Sequence, residues 1–304
     1  MALVLDNLSK RFGGVVASEN VNITVPKGKI TGLIGPNGAG KTTIVNMITG
    51  MLAVSGGTIR VDDTDITRAP ADQICRAGLA RTFQNIRILP ENSVLDNILI
   101  GFHRHERCST LSALLGLPAS RRETAAMRAR AEALLERFGM RHLAEYPAGG
   151  LSYGHQRRVE MMRALASEPE YILLDEPIAG MNDVESDALA VLFRDLADSG
   201  IGILLIEHNL RFVTRLCEHI YVLDGGRGGS SALDVYLQNS QQKLRDVWPD
   251  GAEREFTFIY SACGCPVKAK VRRVGERTQR TSDLPVIFPD DPAAVQTIAG
   301  LMKW

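Results

Sequence analysis

The sequence carries no net charge, because 35 Lys and Arg offset 35 Asp and Glu over 304 residues. Such a balance removes the global electrostatic case for a nucleic-acid or anionic-membrane partner. No apolar run approaches the roughly 18–20 residues needed to span a bilayer. The opening MALVLDNLSKRF lacks the basic-then-apolar pattern of a secretory leader. Cysteine is scarce and odd in number: Cys75, Cys108, Cys217, Cys263 and Cys265 frame no disulfide scaffold, and a reducing compartment fits them. Cys263 and Cys265 form CGC, but no further Cys follows and no His lies beyond His219, so the tail alone cannot complete a four-ligand zinc site. What is present is an ordinary globular composition, 45% hydrophobic and 23% charged, enough for one large domain or two smaller ones.

Residues 1–224 read as alternating strands and helices. LVLDNLSKRF, ITVPK, KITGLIG and GGTIRVDDTDI are strand-like, and YILLDE and GIGILLIEH return to strand on either side of the helical DVESDALAVLFRDLADSG. Apolar strands alternating with helices predict a largely parallel, buried sheet. Helical periodicity dominates from about 94 to 166. In ETAAMRARAEALLERFG, Ala126, Ala133, Leu134 and Phe138 fall at near-helical spacing, with Gly139 as the stop. After YVLD the character changes. GGRGGSS (225–231) reads as a flexible joint, followed by a short helical stretch, strand-like FTFIYSA, the basic run KAKVRRVGERTQR and the Pro-punctuated DLPVIFPDDPAAVQ.

The strongest chemical signal is GPNGAGKTT (35–43), a complete G-x-x-x-x-G-K-[ST] after an apolar strand and before the helical TTIVNMITG. Glycines let backbone N–H groups curl around phosphate oxygens. Lys41 supplies a cation to the β- and γ-phosphates, and the Thr42 hydroxyl can ligate Mg²⁺. YILLDEP (171–177) supplies carboxylates at a strand end, the edge where open α/β sheets bind ligands. There Asp175 would hold Mg²⁺ and Glu176 would orient the attacking water, because phosphoryl transfer depends mainly on positioning and charge.

With LSYGHQRRVE (151–160) added, the set resembles the nucleotide-binding subunit of ATP-binding cassette (ABC) transporters over about residues 3–224. FQN at 83–85 resembles that family's glutamine loop, AGMN at 179–182 its D-loop, and His208 in LLIEHN its switch histidine. The resemblance implies a P-loop NTPase core of α/β class: a mostly parallel sheet, an antiparallel β subdomain and a helical subdomain inserted at about 86–166. Residues 225–304 are then an extension without an assignment.

The resemblance also implies the site. Phe12 and Val16 would pack the adenine, and Gly35, Asn37, Gly38, Ala39, Gly40, Lys41, Thr42 and Thr43 would hold phosphates. Thr42, Gln84 and Asp175 would hold Mg²⁺, while Glu176, His208 and Gln84 would serve hydrolysis of ATP. Ser152 and Gly154 would face a second ATP-binding subunit, identical or not, and read the γ-phosphate held there. Arg157 and Arg158 read as supports of the signature helix.

GLARTFQNIRILPENSVLDNILIG, LSYGxQRRVE and EPIAGMN are most similar to the longer ATP-binding subunit of branched-chain amino acid importers. That kinship implies membrane permease subunits as partners, a periplasmic solute-binding protein acting indirectly, and a peripheral place on the cytoplasmic face of the inner membrane. Alternatives are a cassette for another solute, such as urea or a lipid, and a soluble ABC ATPase acting on DNA or ribosomes. One cassette without sustained heptads disfavours the last, and no nucleic acid is expected.

Two letters depart from the pattern: His155 stands where Gln, Glu or Asp is usual, and Asn209 follows the histidine where Asp is common. With Ser152 as N-cap, position 155 is N3, where Glu or Gln would complete a reciprocal capping box. In the tail, Lys268, Lys270 and Arg272 alternate as on one face of a strand, which reads as a solvated face without interleaved aromatics.

Overall fold

A computed structural model of the chain describes residues 1–105, 108 and 117–224, together with the strand backbone of 253–260, 266–274 and 277–280. The expected joint at 225–231, the short helical stretch after it, Cys263 and Cys265, and the Pro-punctuated segment lie outside the described residues. The chain groups into two compact units, Met1–Ala77 with Phe193–Trp304, and Gly78–Leu192.

The first unit begins with a long antiparallel hairpin, β1 (Ala2–Phe12) and β2 (Val15–Pro26), joined by β4 (Gly56–Val61) and the short β5 (Thr64–Asp65). The hydrogen-bonded order is β2-β1-β4-β5. Alternation buries Leu3, Leu5, Ile23, Val25, Ile59 and Val61, the pattern of a sheet with one face on the core. Leu8 stays on that face although it is three residues past Leu5, because the register shifts between them and Asn7 takes a positive φ of 50°. A bulge of this kind restores the apolar phase.

The parallel part holds β3 (Ile30–Ile34), β8 (Gly202–Ile206) and β9 (His219–Asp224), with β3 between the other two. β3 and β8 are buried along their whole length, as expected of strands covered on both faces. The Tyr221 hydroxyl on β9 accepts from the Thr24 amide on β2, at 3.0 Å, fastening this sheet to the antiparallel one. Beyond β9 come β10 (Glu253–Tyr260), parallel to it, and then β11 (Pro266–Val274) and β12 (Arg277–Arg280), both antiparallel. The basic run thus lies on β11 and β12, with Lys268, Lys270 and Arg272 at alternate positions of one strand. The unit also holds helices α1 (Lys41–Ile48), α2 (Ala71–Arg76) and α7 (Leu210–Leu216).

The second unit contains β6 (Leu79–Arg81), parallel to the fully buried β7 (Tyr171–Asp175), and helices α3 (Val94–Gly101), α4 (Pro118–Arg137) and α5 (Tyr153–Ala166). The chain passes back to the first unit within α6 (Asp183–Asp198). The α4 helix closes at Arg137, and Gly139 just beyond it, at a positive φ of 67°, is the stop that the sequence pattern expects. Ala126 and Ala133 are exposed and Leu134 is half-buried, whereas Ala131 and Leu135 are buried, with Phe138 just past the helix end. Those three fall at i, i+4 and i+7, a single stripe, and on so polar a helix the scattered alanines carried no directional signal. Among the described residues no helix is long and apolar enough to cross a membrane.

Candidate functional site

In the first unit, β3 runs directly into the Gly35–Gly40 turn, which α1 follows. Gly35, Gly38 and Gly40 take φ of 153°, 84° and 97°. Gly40 is required twice over: its backbone is left-handed, and a Cβ there would lie 2.7 Å from the Ala17 carbonyl oxygen. At Gly38 a Cβ would meet nothing within 4 Å, so the crown of the turn is open. Pro36, Asn37 and Thr42 are exposed, Ala39 is buried under the turn, and Thr43 is half-buried. The first turn of α1 carries neither an acidic residue nor a side-chain cap, so its amides are available to an anion. Lys41 Nζ donates to the carbonyls of Gly35 (2.7 Å) and Pro36 (3.0 Å), which holds the ammonium over the turn. An open glycine crown, a helix N-terminus and a cation at its mouth fit a polyphosphate.

The contact of Ala17 with Gly40 also brings the end of the β1–β2 hairpin beside this turn. Phe12 and Val16 there are 49% and 45% exposed, the opposite of what a core assigns to such side chains. Arg11 pairs with Val16 and Phe12 with Val15 across the hairpin, and the Lys10 ammonium lies 4.9 Å from the Phe12 ring centroid. This gives an exposed apolar and aromatic surface next to a phosphate turn. His208 stands two residues past β8, whose Ile206 is level with Leu33 of β3, so it occupies the same strand-end edge as the turn. Its ring is exposed, and its amide donates to the carboxylate of the buried Glu207 at 3.2 Å. Asn209 caps α7 by accepting from the Phe212 amide at 3.3 Å, work that an Asp would do equally.

In the second unit the two carboxylates at the end of β7 have different surroundings. Asp175 is buried, and its Oδ2 accepts from Arg81 Nη2 at 3.1 Å. Burial pushes the Asp175 carboxyl above the ordinary carboxylate range against the pull of Arg81, and burial pulls the Arg81 guanidinium down in turn. Glu176 is only half-buried and has a left-handed backbone, φ 48°, one of five non-glycine residues with positive φ among the described residues. Conformations of that kind persist where the surroundings impose them, and they cluster at functional sites. Gln84 Nε2 donates to Glu176 Oε2 at 3.2 Å, so the expected glutamine and catalytic carboxylate do meet.

Ser152 is the N-cap of α5 and accepts from the His155 amide, which places His155 at N3 as expected. The neighbouring α6 has the full reciprocal box: Asn182 Oδ1 accepts from the Glu185 amide at 2.9 Å, and Glu185 Oε2 accepts from the Asn182 amide at 3.1 Å. Gly154 lies against that cap, since a Cβ on it would come within 3.2 Å of Glu185 Oε1. One turn on, Arg157 is fully buried. Its guanidinium donates to the carbonyls of Phe83, Gln84 (3.4 Å), Asp175 and Glu176 (3.0 Å), and it pairs with Glu160 at 2.8 Å. Glu160 in turn accepts from the Phe83 amide at 3.1 Å. Burial raises the Glu160 carboxyl although Arg157 opposes the shift. Arg157 is therefore a support, and what it supports is the backbone of both the glutamine loop and the carboxylate strand. Sequence reading missed Arg81 and Glu160. Both stood inside quoted segments, GLARTFQN and LSYGHQRRVE, but nothing local announces a partner 94 or 77 positions away.

No set of three or more His, Cys, Asp or Glu among the described residues could hold a metal. The hard oxygens of the Asp175 carboxylate are of the type that suits Mg²⁺, an ion held by one or two carboxylates together with substrate phosphates.

Comparison with known proteins agrees with this chemistry. The sequence pattern described as ABC transporter matches residues 18–179. The high-affinity branched-chain amino acid transport ATP-binding protein LivG of Escherichia coli (strain K12) is 38% identical over 244 residues, 80% of this chain and 96% of LivG. The lipopolysaccharide export system ATP-binding protein LptB of the same organism is 38% identical over 224 residues, 74% of this chain and 87% of LptB. The crystal structure of an ATP-binding cassette of an ABC transporter in its ADP conformation superposes with a TM-score of 0.65 at 34% identity, covering 82% of this chain and 98% of that one. A P-loop on a strand-to-helix turn and a paired Asp–Glu strand end, within a match of this extent, leave one assignment: the chain belongs to the ABC transporter family and is an ATP-hydrolysing, ATP-binding cassette.

Proposed function

We propose that this cassette powers import of branched-chain amino acids through separate permease subunits at the cytoplasmic face of the inner membrane. A periplasmic solute-binding protein would deliver the solute. The relationship to LivG, which spans nearly the whole of that protein, supports this reading. A second reading, a cassette of a lipid-export system, has the equal identity of LptB in its favour, over a shorter stretch. Uptake of labelled leucine by proteoliposomes holding the chain with its permeases decides between them. ATP-dependent leucine accumulation supports import, and lipopolysaccharide extraction without it overturns that reading.

In this mechanism residues 1–224 form the cassette and residues 225–304 an extension. Phe12 and Val16 take the adenine. Gly35, Asn37, Gly38, Ala39, Gly40 and Thr43 surround the phosphates, and Lys41 neutralises their charge. Asp175, Thr42 and Gln84 would hold Mg²⁺, which supplies charge stabilisation at the phosphate oxygens. Glu176 orients and polarises the attacking water, Gln84 holds that carboxylate, and His208 contacts the γ-phosphate. Ser152 and Gly154 read the γ-phosphate bound to a second cassette, identical or not, so one chain contributes to two sites.

The observation that carries the catalytic part is the Gln84–Glu176 hydrogen bond at a strained strand end. Glu176→Gln is expected to keep ATP binding and to lower turnover by about 10²-fold or more, the usual worth of a positioned acid–base group. Turnover at the wild-type rate overturns the assignment of Glu176.

A further inference from the structure

Asp175 is gripped from two directions. Its amide donates to the Thr82 hydroxyl at 3.3 Å, and its Oδ2 accepts from Arg81 Nη2 at 3.1 Å. Both side chains of the ion pair are nearly closed to solvent, at 9% exposure for Arg81 and 7% for Asp175. Parallel pairing of β6 with β7 sets Arg81 level with Leu173, so the guanidinium must reach along the sheet to meet the end of β7. Its orientation is set as well. The Arg81 guanidinium lies 5.0 Å from the Phe83 ring centroid and that of Arg87 lies 4.5 Å from it, while the Phe83 backbone is held by Glu160 and Arg157. The other carboxylate oxygen, Oδ1, takes no part in these contacts.

We propose that Arg81 is a positioning residue for Asp175, fixing Oδ2 so that Oδ1 alone is presented to the divalent cation that accompanies the nucleotide. This rests on the reading of Asp175 as a metal ligand. Partners of ligating carboxylates orient them, and loss of such a partner costs typically about 10–100-fold in metal affinity. Arg is suited to the task because its planar fork fixes direction, which a lysine ammonium does not.

The test is Mn²⁺ binding to the full chain in the presence of a non-hydrolysable ATP analogue, read by paramagnetic resonance, beside analogue binding in EDTA. Arg81→Met and Arg81→Lys are compared with Asp175→Asn. The expected result is Mn²⁺ affinity about tenfold weaker in Arg81→Met and less reduced in Arg81→Lys, with metal-free analogue affinity unchanged in both. Arg81→Lys decides alone if Arg81→Met does not fold. If the Arg81 variants bind Mn²⁺ as wild type while Asp175→Asn does not, the positioning role is overturned and the ligand assignment stands. If metal-free affinity falls in parallel with Mn²⁺ affinity, Arg81 is merely structural and the proposal is overturned. If Asp175→Asn itself binds Mn²⁺ normally, the metal-ligand reading fails, and this inference with it.

Discussion

The two units build their candidate residues for phosphate chemistry by opposite means. In the first, the Gly35–Gly40 turn and the first turn of α1 offer backbone amides, and Lys41 is the one cation within residues 35–43. In the second, Asp175 and Glu176 are set by side chains from far along the chain: Arg81 at a separation of 94, Gln84 at 92 and Arg157 at 18. A site made of backbone is vulnerable where a Cβ intrudes. A site made of buried charge is vulnerable wherever one partner is removed, because the other is then stranded without water.

That difference orders the consequences of mutation. The largest is expected at Arg157, where truncation strands Glu160 and leaves the carbonyls of residues 83, 84, 175 and 176 without their donor. Arg157→Met should cost roughly 3–5 kcal/mol in denaturant unfolding, and adding Glu160→Met should recover part of it, as when buried pairs are replaced together by apolar groups. A single-variant cost under about 1 kcal/mol would remove the buried-charge side of the comparison.

Next is Gly40→Ala in the backbone-made site. The left-handed φ of 97° and the Ala17 oxygen 2.7 Å from the new Cβ both oppose it. Strain of about 1–3 kcal/mol follows. It should appear as weaker nucleotide binding, measured by titration calorimetry, because the turn is the element that must shift. Unchanged affinity would mean the turn can relax without leaving its phosphate-binding shape.

The same contrast explains what the sequence disclosed. The Gly35–Gly40 turn between strand and helix was legible because its requirement is local: glycines at fixed spacing, Lys41 and Thr42, an apolar strand before and a helix after. Asp175 and Glu176 were read from their place at the end of an apolar strand, whereas Gln84, Ser152 and His208 were assigned by their order along the chain, a property of resemblance more than of geometry. Arg81 and Glu160 were not legible, since their meaning depends on β6 lying beside β7 and on α5 crossing the backbone of residues 83 and 84. The buried stripe of α4 was not legible for a related reason. Alanines are indifferent to burial, so Ala126 and Ala133 could not report which way the helix faced.

A smaller effect separates the units by pH. Burial raises the Glu160 carboxyl above its ordinary value of 4.5. The folded state therefore holds this proton more tightly than the unfolded chain does. The contribution to stability is fully present below 4.5 and is lost as pH rises through the higher folded value. Wild type should lose stability relative to Glu160→Gln across that window, at no more than about 1.4 kcal/mol per pH unit. Urea unfolding of the two proteins at a series of pH values measures the difference directly. Residues 35–43 contain no carboxylate, so Gly40→Ala should show no change of this kind against wild type.

The smallest expected effect is at Ser152, and it bears on both kinds of site because this residue is a cap within the second unit and the proposed reader of a phosphate. Its bond to the His155 amide is long, 3.5 Å, and His155 is not among the side chains that reach back to complete the box, as Glu185 does for Asn182. Ser152→Ala should therefore cost about 0.5–1 kcal/mol, the low end for a lost cap. His155→Gln should return a few tenths of that by supplying the reciprocal acceptor. If the hydroxyl serves only the helix, ATPase turnover follows stability and stays near wild type under conditions where both variants are folded. If it also reads a phosphate, turnover in Ser152→Ala falls well beyond what so small a loss of stability explains, and wild-type turnover would take Ser152 out of the proposed site.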